Sequence, residues 1–104
     1  MIGKLPDTRV SVPEAKERYM ETRVAVIGII VEDESSVDKL NDILHEYGRC
    51  IIGRMGIPYR NKGINVISIA VDAPQDAIAA LSGKIGNLSG VSVKTAYSNF
   101  VTSA

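Results

Sequence analysis

Val24-Ala25-Val26-Ile27-Gly28-Ile29-Ile30-Val31 decides the fold. The run is β-branched and apolar at odd and even positions alike, so it reads as a strand buried on both faces rather than one wetted at alternate residues. Glu32-Asp33-Glu34 ends it, and the apolar spacing then lengthens from two residues to between three and four. Val37, Leu40, Ile43, Leu44 and Tyr47 share one side of a helix, with Asp38, Lys39, Asn41, Asp42 and Glu46 on the other. Ser35, with Asp38 three residues on, is expected to cap this helix, and Gly48 to stop it.

The same alternation repeats downstream. Residues 50–57 form a second strand, ended by Pro58, which has no N–H to give a ladder. Tyr59-Arg60-Asn61-Lys62-Gly63 is short enough for a hairpin link, and residues 64–71 form the third strand. Pro74 opens a second helix with Ile78, Leu81, Ile85 and Leu88 on one face, weakened towards its end by Gly83 and Gly86. Gly90 precedes a fourth strand over residues 91–97. Strand, helix, strand, twice over, is the ferredoxin-like βαββαβ arrangement of the α+β class. Right-handed crossovers put both helices on one face of a four-stranded antiparallel sheet.

Residues 23–97 make up this domain. Residues 1–22 read as an N-terminal arm: a short charged helix from Pro13 with only Val12, Ala15 and Tyr19 to dock, or a leader if Met20 is the start. Residues 98–104 read as a loose C-terminal tail. The 104 residues, 45% hydrophobic and 23% charged, supply one soluble core of modest size. Twelve basic side chains cancel twelve acidic ones, so the chain lacks the positive field that DNA binding by this chain alone would need. No segment approaches 18 apolar residues and the N-terminus lacks a secretory h-region, so the expected location is cytoplasmic, away from membranes. Cys50, the single cysteine, excludes a disulfide within the chain and a CxxC pair.

Two helices cover only one face of a sheet. In the third strand Ile67, Ile69 and Val71 suit the helix side, leaving Val66, Ser68 and Ala70 on a small, flat second face that fits another sheet. Strands so apolar invite aggregation when bare, so a homo-oligomer, dimer or tetramer, is expected. The alternative is that the N-terminal arm folds back over the sheet.

Arg23 to Asp33, Leu44 to Gly48, Ile51-Ile52-Gly53-Arg54-Met55-Gly56-Ile57-Pro58-Tyr59-Arg60 and Gly90 to Lys94 together resemble the small regulators of the iron-only hydrogenase system. The resemblance covers nearly all of the domain. It implies an ACT-like version of the fold, association into dimers or tetramers and a regulatory role. More distantly, the helix-to-strand portion is similar to the effector domain of the nickel-responsive regulator. On that resemblance His45 matches the first metal histidine, but the remaining ligand positions fall near Gly56, Pro58 and Ile64, none of which offers a side chain to nickel. A ribbon-helix-helix for DNA is also missing. No metal or other cofactor is therefore expected.

His45 and Cys50 are the only soft ligands, and a zinc-like site of three or four ligands would require subunits to pool them. The plainer reading is a helix-end histidine and a core thiol. Arg54 is a charge inside an apolar strand: buried it needs a paired anion, and exposed it is expected on the open face. With Tyr59, Arg60 and Gly56 it forms the candidate ligand-binding group, suited to a small anionic ligand or a protein partner's acidic side chain. A plainer role for Arg54 is a salt bridge to Glu32 or Asp33 of a neighbouring subunit. Glu32, Asp33 and Glu34 suit the helix N-terminus. The glycine that amino-acid-binding ACT domains carry in this loop is absent between Val31 and Ser36. The sequence holds no Walker loop, GxGxxG, HExxH or nucleophile elbow, and Ser82-Gly83-Lys84 lies within a helix, so no catalytic residue is expected. These readings point to a non-enzymatic, homo-oligomeric regulatory module that binds a small ligand or a protein. The alternative is a structural accessory protein of metalloenzyme maturation with no effector ligand.

Overall fold

β1 (Glu21–Val31), α1 (Val37–Glu46), β2 (Ile51–Tyr59), β3 (Ile64–Ala73), α2 (Gln75–Gly86) and β4 (Val91–Ser103) follow one another in a computed structural model that describes residues 21–103. The strands form one antiparallel sheet in the order β2-β3-β1-β4. This is the ferredoxin-like α+β fold. The most apolar strand, β1, takes an inner position between β3 and β4, where both its ladders are filled. β2 takes an edge, where its proline is tolerated.

Alternation along the two inner strands builds the core. Ala25, Ile27, Ile29 and Val31 of β1, with Ile69, Val71 and Ala73 of β3, turn towards the helices. Leu40 and Leu44 of α1 and Ala77, Ile78, Leu81 and Ile85 of α2 meet them, and Ile67, Val91 and Val93 pack against the cluster. Burying one such Ile or Leu is worth about 1.5–3 kcal/mol, so this single layer carries most of the stability. Ser82 of α2 and Thr95 of β4 share a hydroxyl hydrogen bond of 2.7 Å at its margin.

Several local expectations are corrected. Ser35 does not cap α1: the N-cap position is Ser36, whose side chain makes no cap bond, and Asp33 instead caps a 3-10 turn over Glu34–Ser36, its carboxylate accepting from the Ser35 N–H at 2.9 Å. An acid two residues upstream of a serine amide forms this turn more readily than the hydroxyl reaches forward. Gly48 does not end α1 in a left-handed turn; the chain passes into a second 3-10 turn over Gly48–Cys50, which buries Cys50 before β2 begins. Pro58 lies inside β2, opposite Asn65. The Glu32 N–H donates to the Gly90 carbonyl at 2.7 Å, which sets the phase of every ladder in the sheet. In that phase residues 54, 56 and 58 of β2 turn their backbone groups away from β3, so Pro58 has no ladder bond to lose. Residues 98–103 belong to β4, where Val101, Thr102 and Ser103 pair with Arg23, Thr22 and Glu21 beyond a register shift. The N-terminal arm expected over residues 1–22 lies, up to residue 20, outside the described residues.

Candidate functional site

Cross-strand neighbours map the face that the helices leave open. One row across the sheet is Met55, Ser68, Gly28 and Lys94; the next is Gly53, Ala70, Val26 and Ala96. On the other side of the first row lie Ile57, Val66, Ile30 and Ser92. Met55 is 63% exposed, Ile57 53% and Val26 45%, and Val24 and Tyr59 are also uncovered. Val66, Ser68 and Ala70 face this way, opposite the buried Ile69 and Val71. The bulky side chains rise on β2, and a shallow floor of Gly28, Ser68, Ala70 and Ala96 runs beside them. A Cβ at Gly28 would come no closer than 3.8 Å to the Lys94 carbonyl, so nothing among the described residues demands glycine there. A glycine inside an inner strand costs stability and is common where another backbone comes close.

The candidate ligand-binding residues divide between the two faces. Arg54 pairs with Ile69 and Gly56 with Ile67, which puts both on the helix side; Tyr59 pairs with Ile64 on the open side. Arg54 is exposed, but not on the open face. Its Nη2 donates to Asn41 Oδ1 of α1 at 3.2 Å. The cause is a register shift between Ile51 and Gly53: strict alternation from Ile51 would have turned Arg54 to the open face, and the extra residue reverses it. A side chain on an edge strand can sit beside the helix layer and still reach solvent. Arg60 stands in the hairpin turn, which Gly63 closes at φ +65° with its N–H donating to the Arg60 carbonyl at 3.2 Å. A Cβ at Gly56 would meet Ile67 Cγ1 at 3.8 Å, an ordinary contact, so there is room beside Arg54.

Charge is segregated along the chain. Arg49, Arg54, Arg60 and Lys62 fall between Tyr47 and Asp72 with no acid among them, whereas Glu32 to Glu46 holds six acids and one lysine. The β2–β3 hairpin is therefore a basic edge beside an acidic helix. His45 is exposed on α1, and Cys50 is buried in the core. Among the described residues no three His, Cys, Asp or Glu side chains gather as a metal site would need.

Asp33 holds a clasp that sequence reading missed. Its Oδ1 accepts from the Ser35 hydroxyl at 2.7 Å and its Oδ2 from the Ser89 hydroxyl at 3.0 Å. The Ser36 hydroxyl donates to the Ser89 carbonyl at 2.6 Å. These bonds to Ser35 and Ser89 hold the Asp33 carboxyl below its ordinary range. Gly90 completes the clasp at φ +66°, where a Cβ would fall 2.5 Å from Asp33 Cβ. The Asp33-Glu34-Ser35 spacing was a signal for the turn; nothing local pointed to Ser89. On the other side of the helix layer, Lys84 of α2 bonds Glu46 at 3.1 Å and lies 5.1 Å from the centre of the Tyr47 ring, and these contacts raise its pKa.

Comparisons with known proteins agree with this architecture. The TM1266-like family model, described as "Iron-only hydrogenase system regulator, putative", matches residues 23–95. The solved structure of the uncharacterized protein TM1266 from Thermotoga maritima is 35% identical, with a TM-score of 0.71 over 73% of this chain and 96% of that one. A formyltetrahydrofolate deformylase from Pseudomonas putida KT2440 is 18% identical, with a TM-score of 0.54 over 74% of this chain. The chain spans 29% of that enzyme, and the likeness is one of fold alone. No curated protein matches.

Proposed function

The chain belongs to the TM1266-like family of iron-only hydrogenase system regulators, and from that premise we propose that it is a non-catalytic regulatory module that assembles with copies of itself. One observation supports the assembly: the open sheet face, where Val26, Met55 and Ile57 stand about half exposed around a floor of small residues. Four strands about 4.8 Å apart and eight residues rising about 3.3 Å each give a face of about 500 Å² in projection. With side-chain relief that approaches the ~800 Å² per partner of a stable interface. Sheets pack face to face about 10 Å apart when both faces are this flat. In this reading the basic edge, with Arg54 and Arg60 as its contacts and Gly56 and Tyr59 flanking them, takes up an anionic ligand or an acidic side chain of a protein partner.

Sedimentation of the full chain at micromolar concentration tests the assembly. The expected result is a dimer or tetramer, with a lower mass for Val66→Glu, which sets a charge in the middle of the face. A monomer at every concentration overturns the proposal. An oligomer whose mass is unchanged by Val66→Glu moves the interface off this face.

A further inference from the structure

The two edges of the sheet are built differently. The β2 edge carries a register shift at Ile51/Gly53, glycines at 53 and 56, the charge of Arg54, and Pro58 at a position whose N–H would face outward. Each of these discourages another strand from pairing there. The β4 edge lacks the glycines and the proline, and its one charge and one irregularity are placed differently. Its thirteen residues include no glycine or proline, and its one charge, Lys94, lies on the open face opposite Gly28. The irregularity of β4 lies beyond Tyr97, which leaves residues 91–97 as a regular run. In the phase set by the Glu32–Gly90 bond, residues 91, 93, 95 and 97 turn their N–H and C=O groups outward.

We propose that the β4 edge pairs antiparallel with the β4 edge of a second copy, continuing the two sheets as one of eight strands. Two features commit the occupant to a second copy. The outward groups fall on residues of one parity, so a two-fold axis at Thr95 sets Val93 against Tyr97 and Thr95 against its own counterpart as hydrogen-bonded pairs. The same axis sets Lys94 against Ala96, so no like charges meet. The chain also carries no net charge, so copies approach without long-range repulsion. This edge is separate from the open face and stands if pairing through that face fails; with both in use the assembly is a tetramer.

Amide hydrogen exchange on the full chain reads the edge residue by residue. The Val93, Thr95 and Tyr97 amides are expected to be protected in proportion to the oligomer as concentration rises, while those of Arg54 and Gly56 exchange fast throughout. Fast exchange of the β4 amides in the oligomer overturns the proposal. Protection independent of concentration means that the chain covers its own edge, and also overturns it. Tyr97→Pro removes one outward donor next to the register shift, and Tyr97→Ala removes the ring but keeps the donor. The proline variant is expected to halve the mass of the assembly and the alanine variant to leave it unchanged; equal masses refute the edge. Val66→Glu, which acts on the open face, leaves the β4 amides protected, so failure of one interface is distinguishable from failure of the other.

Discussion

Gly63 and Gly90 hold almost the same backbone conformation, φ +65° and +66°, in different surroundings. Alanine at either position must enter the left-handed region, which costs about 1–2 kcal/mol. At Gly63 a Cβ meets none of the described residues within 4 Å, so the cost ends there. At Gly90 the Cβ would lie 2.5 Å from Asp33 Cβ and 3.0 Å from Asp33 N, which is backbone and cannot swing aside. The two loops must part, and the Glu32–Gly90 and Ser89–Asp33 hydrogen bonds are lost, each worth about 1 kcal/mol. Gly90→Ala is therefore expected to cost about 3–4 kcal/mol and Gly63→Ala about 1–2 kcal/mol. Against a typical total of about 5–15 kcal/mol, the first is a large fraction and the second is tolerable. Urea unfolding of both variants at one protein concentration measures the difference, since mass action in an oligomer would otherwise shift the midpoints. Equal free energies for the two alanine variants would refute the clasp.

Two further outcomes are expected. A carboxylate held below its ordinary value of 3.8, as that of Asp33 is, stabilises the fold above that pH and loses its contribution as pH falls through the lowered value. The melting-temperature gap between the native chain and Asp33→Asn should hold steady from pH 7 to 5 and close below about pH 4; a gap that widens on acidification contradicts the assignment. Arg54→Met, which gives up the bond to Asn41, should fold normally. Combined with Arg60→Ala it should abolish the thermal shift caused by an anionic ligand that stabilises the native chain, and an undiminished shift removes both residues from the binding edge.

Much of the architecture was legible because it depends on periodicity. The alternation of Val66 to Val71 assigned each residue to its face, and the three-to-four spacing from Val37 to Leu44 placed α1 against the sheet. What was not legible depends on events that period cannot record. The extra residue at the Ile51/Gly53 register shift leaves no mark in the sequence, yet it decides which face Arg54 takes. Pro58 reads as a terminator until its strand is known to be an edge with that amide turned outward. Residues 98–103 look like a tail because their reason for being strand is Glu21–Arg23, at the far end of the described chain. Asp33 finds Ser89 only after both halves have folded.

The position of β1 also bears on how the protein is made. β1 leaves the ribosome first among the strands, yet its ladders are filled by β3 and β4, the last two to emerge. Its apolar residues therefore wait unpaired on both sides until β3 emerges, and on one side until β4 does. Pairings this distant in sequence close slowly, because loop entropy is lost before any contact repays it. A nascent chain halted before Val91 has β3 available but not β4, and exposes the Val24–Val31 ladder as a sticky edge. Completion of β4 is thus the step that takes the most aggregation-prone segment of this protein out of solution.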